Sequence, residues 1–393
     1  MSDKIPLSIP EISGNEWKYV KDCLDTNWVS SAGKYVDLFE KKICEFTNSK
    51  YAIACVNGTA ALHVSLLLSN VKDGDEVIVP TLTFIATINA VKYCGAEPVF
   101  MDSDDFYNID ILKTIEFLKE ETEMSDGICI NRNSGKKISA IIPVHIFGNA
   151  VMLDELFIEC ERRNIEIIED ATESLGTSYT KGKFKGRSTG TIGRFGCFSF
   201  NGNKIITTGG GGMILTQNES DYKKAKYFTT QAKDDEVNYI HNEIGYNYRL
   251  TNIQAALGVA QMEKLNEYLE IKRKNFNLYK LELNEIDGLC IASTPEYAEN
   301  NNWMYALQID KSKYGSSRDE VMEALEIQGI QSRPVWYLNH LQKPFIDNYS
   351  YKIENAIKLH EITLNIPCSV SLNDTDRMKV INSLQNIYSP HLS

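Results

Sequence analysis

From Tyr51 onward, short apolar runs alternate with helical stretches, and this alternation restricts the chain to an α/β architecture more strongly than any other feature. Residues 51–55 precede a helix expected from 59 to about 68, and 76–79 precede one running through Ala90. Runs at 99–101, 140–144 and 165–168 continue the series. Apolar runs of this length between turn signals read as strands buried on both faces, and parallel strands need a helical crossover between them. The pattern predicts a mostly parallel sheet covered by helices on both sides.

At 393 residues the chain exceeds one small core, so two units are expected. Residues 1–265 form the larger unit, including N-terminal helices at 16–25 and 34–48, and 266–393 form a smaller C-terminal α/β unit. The chain changes character from about Asp287, with a strand over 305–309 and a helix opened by Ser317. A long amphipathic helix is expected from Thr251 to about Leu283, burying Ala255, Leu257, Ala260, Met262, Leu265 and Leu269. The polar stretch 119–139, built around Asp126-Gly127 and Asn133-Ser134-Gly135, reads as a surface hairpin or loop.

A net charge of −12, from 41 Lys and Arg against 53 Asp and Glu, argues against nucleic-acid or anionic-membrane partners, whose binding needs clustered cations. The nine cysteines form no Cys-x-x-Cys and no His pairing at zinc-ligand spacing, so no metal is expected and they read as core residues in a reducing compartment. Residues 1–10 lack the basic and apolar regions of a signal peptide, and no run reaches membrane-spanning length. A cytoplasmic protein is the expectation.

Chemistry concentrates in two places. Lys204 lies in Phe-Ser-Phe-Asn-Gly-Asn-Lys-Ile-Ile-Thr-Thr-Gly-Gly-Gly-Gly, a poor setting for an ordinary solvated charge. Glu169-Asp170-Ala171-Thr172-Glu173 follows the apolar run at 165–168. A lysine for a Schiff base and a carboxylate for a pyridine nitrogen are what a pyridoxal-phosphate site requires. Asp170 would stand at the carboxyl end of a parallel strand, where α/β ligands bind, although a helix-capping aspartate has the same signature. Asn57-Gly58-Thr59 follows a strand and opens a helix whose first amides suit a phosphate. Ser199 and Asn203 are polar candidates for the same end of the cofactor. Phe84 is either core or the aromatic face on the ring, and His145 reads as a core histidine rather than a substrate contact. The polar loop 26–33, carrying Trp28 and Ser30, is expected to face a ligand. For Arg333, a diphosphate contact and a surface ion pair are both open.

Together these motifs resemble the DegT/DnrJ/EryC1/StrS sugar aminotransferase family of fold-type I pyridoxal-phosphate enzymes, over nearly the whole chain. The resemblance implies an aspartate aminotransferase-like fold: a large unit with a mostly parallel mixed sheet and a smaller C-terminal α/β unit. It implies that Lys204 carries pyridoxal 5′-phosphate, that Asp170 meets the pyridine nitrogen, that Phe84 and Glu173 flank the ring, and that Gly58, Thr59 and Ser199 hold the phosphate. Many relatives have His or Gln at the position of Glu173. Residues 245–251 match a segment that reaches into the partner subunit's site, which implies a homodimer with shared sites: Asn247 at the neighbour's phosphate, Arg249 at the loop or the substrate diphosphate. The segment 333–340 resembles one near the nucleotide sugar, giving Arg333 and His340 as candidates.

The motifs around 143–149 and 199–204, with the long 119–139 segment, look most like the LegC subgroup linked to legionaminic acid. The expected reaction moves an amino group from L-glutamate to C4 of a nucleotide-activated 4-keto-6-deoxy-N-acetylhexosamine, UDP-linked in preference to GDP-linked, with GDP-perosamine or dTDP-amino sugar synthesis as the alternative. A dehydratase of the same family would have histidine in place of Lys204, and a non-catalytic regulator of the same fold is the remaining alternative. Neither Gly-x-Gly-x-x-Gly after a strand nor Gly-Lys-Ser/Thr is present to support a dinucleotide or P-loop enzyme.

Overall fold

The computed structural model describes residues 4–235 and 237–388; residues 1–3 and 389–393, the outer ends of the two expected units and part of the segment read for a leader, lie outside them. The large sheet has eight strands: β1 Tyr51–Cys55, β2 Glu76–Pro80, β3 Glu97–Met101, β4 Ile138–Ile141, β5 Glu166–Asp170, β6 Phe195–Ser199, β7 Gly212–Thr216 and β8 Ser350–Tyr351. Their order across the sheet is β1-β7-β6-β5-β4-β2-β3-β8. β7 pairs antiparallel with both of its neighbours, and the remaining pairs are parallel. The sheet is therefore mixed and mostly parallel, as the alternating pattern predicts.

Two bounds differ from expectation for identifiable reasons. β5 continues through Glu169 and Asp170, where two acidic residues imitate a loop. The Glu169 carboxylate accepts the amides of Gly190 and Gly193 at 2.9 and 2.8 Å and a bond from His145 at 3.0 Å, which satisfies a buried charge inside the sheet. The strand expected at 140–144 instead spans Ile138–Ile141: it takes in Ser139, whose hydroxyl is bonded to Asp75, and it stops short of Pro143, which has no N–H to give the ladder. The 119–139 segment forms a hairpin between Thr122–Ser125 and Ile128–Asn131, turning at Asp126 (φ 49°) and Gly127 (φ 78°); an Asp-Gly pair suits a two-residue turn with both φ positive.

Helices α1 Glu16–Asp25, α2 Lys34–Thr47, α3 Gly58–Leu68, α4 Ala86–Tyr93, α5 Ile111–Glu120, α6 Leu153–Arg163 and α7 Glu219–Thr229 precede the 32-residue α8, Asn252–Leu283. α3 is almost wholly buried and packs across β6 and β7. α8 starts with a capping box between Thr251 and Gln254 and packs against α1 and α2. The C-terminal region adds an antiparallel four-stranded sheet of Leu289–Ile291, Tyr305–Ile309, Thr363–Ile366 and Arg333–Pro334. Strand β8 from that region returns to edge the large sheet.

Candidate active site

The carboxyl ends of β5 and β6 and the start of α3 converge on one cavity of about 410 Å³. Asn57 opens it: its side chain accepts the Ala60 amide at 2.7 Å, capping α3 so that the helix begins with Gly58 and Thr59 at the cavity wall. A capped helix start concentrates partial positive charge and amide donors, the features an anion seeks. Gly58 permits a close approach, because a Cβ there would lie 3.0 Å from both Ser199 Cβ and Thr172 Cγ2. Gly212 does the same for β7, where a Cβ would lie 2.4 Å from the Asn57 backbone.

Asp170 is buried at the end of β5, its amide bonded to the Pro143 carbonyl at 2.9 Å. Its side chain, turned to the face opposite that of Glu169, accepts the Thr87 hydroxyl at 2.7 Å and the Thr172 amide at 3.1 Å. Asp170 and Glu169 thus divide their roles by strand alternation: one faces the cavity, the other braces the sheet. Burial raises the Glu169 carboxyl, but the bond from His145 and the surrounding amides outweigh it and hold the group below its ordinary value. His145 accepts the Val151 amide on Nδ1 at 3.0 Å, which leaves Nε2–H to donate to Glu169. It is buried and structural, in line with the core reading.

Lys204 sits in the loop between β6 and β7 with its amine in the cavity. Nζ lies 3.7 Å from Glu173 Oε1 and 3.8 Å from the centre of the Trp303 ring. Burial pushes the Lys204 ammonium below its ordinary value, opposed by Glu173 and Asp170. Burial raises the Glu173 carboxyl to about 7, with Lys204 opposing. Ser199, Asn203 and Phe84 line the same space, and Phe84 is 54% exposed at the cavity rather than in the core.

Of the residues singled out in the sequence, Gly58, Thr59, Phe84, Asp170, Glu173, Ser199, Asn203 and Lys204 meet at this cavity. The others lie outside its lining within one chain. Trp28 and Ser30 are exposed, their carbonyls receiving Asn252 Nδ2 and the Asn252 amide. Asn247 is exposed on a segment pinned by the Val56 amide to the Tyr248 carbonyl and by Tyr248 to His63 at 3.3 Å. Arg249 faces Glu40 at 3.6 Å. Arg333 is exposed beside Ser332, and His340 bonds to the Thr81 hydroxyl at 2.6 Å. Thr87, Thr172, Asn201, Trp303 and Trp336 contribute to the site without having been singled out. Thr172 and Asn201 stand inside the motifs that carry Asp170 and Lys204, and Thr87 lies three residues after Phe84; Trp303 follows three buried asparagines whose pattern carries no chemical signature.

A mixed, mostly parallel sheet whose carboxyl ends gather a buried lysine, an oriented aspartate and a capped helix start defines a class: an α/β transferase built around pyridoxal phosphate. Residues 10–385 match the DegT/DnrJ/EryC1/StrS aminotransferase family, and the chain belongs to that family of pyridoxal phosphate-dependent sugar aminotransferases. It is 36% identical to GDP-perosamine synthase of Caulobacter vibrioides, over 98% of this chain and 100% of that protein. GDP-perosamine synthase of Escherichia coli O157:H7 is 35% identical, over 98% and 99%. A DegT DnrJ EryC1 StrS aminotransferase from Brucella abortus shares the fold with a TM-score of 0.84 at 25% identity, over 95% of each chain. Among the described residues no helix is long and apolar enough to cross a membrane, and no cluster of side chains suits a metal ion.

Proposed function

We propose that this chain moves an amino group from L-glutamate to C4 of a nucleotide-activated 4-keto-6-deoxyhexose, with pyridoxal phosphate in the cavity around Lys204. The observation that carries this reading is the shared cavity of the Lys204 amine, the Asp170 carboxylate and the capped start of α3. The residues fit the cofactor: Gly58 leaves a cradle that a Cβ would fill, and the polar set beside it suits a phosphate. When bound, pyridoxal phosphate supplies the electron sink that lets a carbon beside nitrogen give up a proton.

The chain's own residues do the rest. Gly58, Thr59, Ser199 and Asn203 bind the phosphate. Asp170, oriented by Thr87 and Thr172, holds the proton on the pyridine nitrogen. Phe84 and Glu173 flank the ring. Lys204 Nζ would hold the cofactor at rest and, once freed, would take the proton from the donor carbon in the first half of the cycle and deliver a proton to the sugar C4 in the second.

The working unit in this reading is a homodimer. Trp28, Val29, Val237, Tyr239, Ile240 and Ile244 are exposed apolar residues in the loop before α2 and the segment before 245–251, and apolar surface of this kind favours a partner. Asn247 then reaches the neighbour's phosphate, Arg249 steadies its loop through Glu40, and Trp28 and Ser30 meet substrate across the interface. Arg333 takes the diphosphate, and His340, whose ring bonds to the Thr81 hydroxyl three residues before Phe84, is the second substrate contact from the same segment. The nine free cysteines suit a reducing, cytoplasmic setting. For the nucleotide, resemblance to the LegC subgroup favours UDP with an N-acetylated sugar, and the GDP-perosamine synthases favour GDP.

Borohydride reduction of the holoenzyme, followed by peptide mass spectrometry, tests the core of the reading. The cofactor mass should appear on the peptide containing Lys204. Its appearance on another lysine, or on none, would overturn the assignment.

A further inference from the structure

Glu173 and Lys204 are built as a pair. Glu173 follows Asp170 by three residues, is buried, and has one oxygen fixed: Oε2 accepts the Phe147 amide at 2.8 Å, from a residue held at a left-handed φ of 55°. Its other oxygen faces Lys204 Nζ at 3.7 Å, within ion-pair reach and about 0.8 Å beyond a direct N–H···O bond. Trp303 packs its ring against the same nitrogen at 3.8 Å. That ring is anchored through Nε1 to the Asn203 carbonyl at 2.7 Å and through the Trp303 amide to Asn301 Oδ1 at 2.9 Å. Asn301 Nδ2 in turn donates to the carbonyls of Glu173 and Leu175, both at 2.9 Å. One buried asparagine therefore ties the indole and the Glu173 turn into a single seat for the lysine amine.

We propose that Glu173 is the proton partner of the free Lys204 amine, with Trp303 holding that amine in place. A proton on Nζ passes to Glu173 Oε1, the N–H bond breaking as the O–H bond forms, and returns by the reverse step. This rests on the reading of Lys204 as the lysine that carries the cofactor. The exchange yields a neutral amine, the form that attacks a carbonyl or removes a proton, without losing the proton to water. The Trp303 ring, 3.8 Å from Nζ, steadies the ammonium form by cation–π attraction.

The energetics of the pair run the same way. In water, lysine holds its proton about six pH units more tightly than glutamate, and transfer between them is negligible. Burial raises Glu173 to about 7 and lowers Lys204, so the two affinities approach each other. Asp170 is the other charged group acting on both, raising each of them. Coupled sites of this kind lose their protons in two steps that belong to the pair.

The test uses the holoenzyme treated with excess L-glutamate, which frees Lys204 if the transfer reading holds. Brief acetylation with acetic anhydride across pH 5 to 10, read by mass spectrometry on the Lys204 peptide, should give a two-step curve for the wild type and a single step for Glu173→Gln. The infrared difference spectrum of wild type minus Glu173→Gln, which cancels the buried Asp104 carboxyl that also rises to about 7, should show a carboxylic-acid carbonyl band that disappears as pH rises through about 7. Coincident single-step curves overturn the pairing, as does an infrared spectrum without that band. A protein whose visible absorbance never responds to L-glutamate fails the transfer reading and the pairing with it; a responsive protein with coincident curves fails the pairing alone.

Discussion

Gly58→Ala isolates the anion-binding end of the cavity from the rest of the fold. The added Cβ would stand 3.0 Å from Ser199 Cβ and from Thr172 Cγ2, and 3.4 Å from Ser199 Oγ. The first two contacts are about half an ångström inside ordinary carbon separation, so the start of α3 must back away from β6 and from the turn after Asp170. Overpacking of this size costs about 1–3 kcal/mol. Binding that depends on the displaced amides then weakens by about 5- to 150-fold. The variant should fold, because Asn57 still caps the helix and the rest of α3 remains buried. Titrating cofactor-free wild type and variant with pyridoxal phosphate, followed by absorbance, gives the two dissociation constants. Equal constants would refute the argument that Gly58 is needed for this approach, and a variant that fails to fold would show that the approach serves stability rather than binding.

Asp170→Asn keeps the shape between Thr87 and Thr172 but removes the charge; the rate of amino transfer should fall at least about a thousandfold, and a loss within about tenfold, roughly 1.4 kcal/mol, would demote Asp170 to a structural role. Mixing inactive Lys204→Ala with inactive Asn247→Ala, with subunit exchange verified, should restore activity because one of two shared sites then holds both wild-type residues; no recovery would contradict shared sites. Glu173 binds its proton more tightly in the folded chain, at about 7 against an ordinary 4.5, so its contribution to stability is full below about pH 4.5 and lost as pH rises through 7. The melting temperature of the cofactor-free wild type should therefore fall relative to Glu173→Gln over that window, and parallel curves would contradict it.

The strands β1 and Tyr305–Ile309 stand where their apolar runs predict, and the sheet's parallel character follows from the helices between runs. Elements whose sequence carries mixed signals are harder to read. β7 begins in a glycine cluster that imitates a loop, because its first residue must pass close to the Asn57 backbone. The end of β5 is acidic, yet Glu169 is satisfied by amides that only the folded chain brings near. At the cavity, local motifs announce Asp170, Lys204 and the start of α3. Trp303 joins Lys204 from about one hundred residues away in sequence, through asparagines that have no period and no motif. Residues such as Trp28 and Asn247 face outward from their own chain, so a single chain does not display what they meet.

The event that defines the proposed reaction is amino transfer to a sugar carbon. Incubating the holoenzyme with ¹⁵N-labelled L-glutamate and GDP- or UDP-linked 4-keto-6-deoxy sugars, then reading the products by mass spectrometry and NMR, tests it directly. The enzyme should leave ¹⁵N bound at C4 of one nucleotide sugar, with 2-oxoglutarate formed in equal amount. Conversion of glutamate to 2-oxoglutarate on the enzyme, with no label entering any 4-keto sugar, would contradict it.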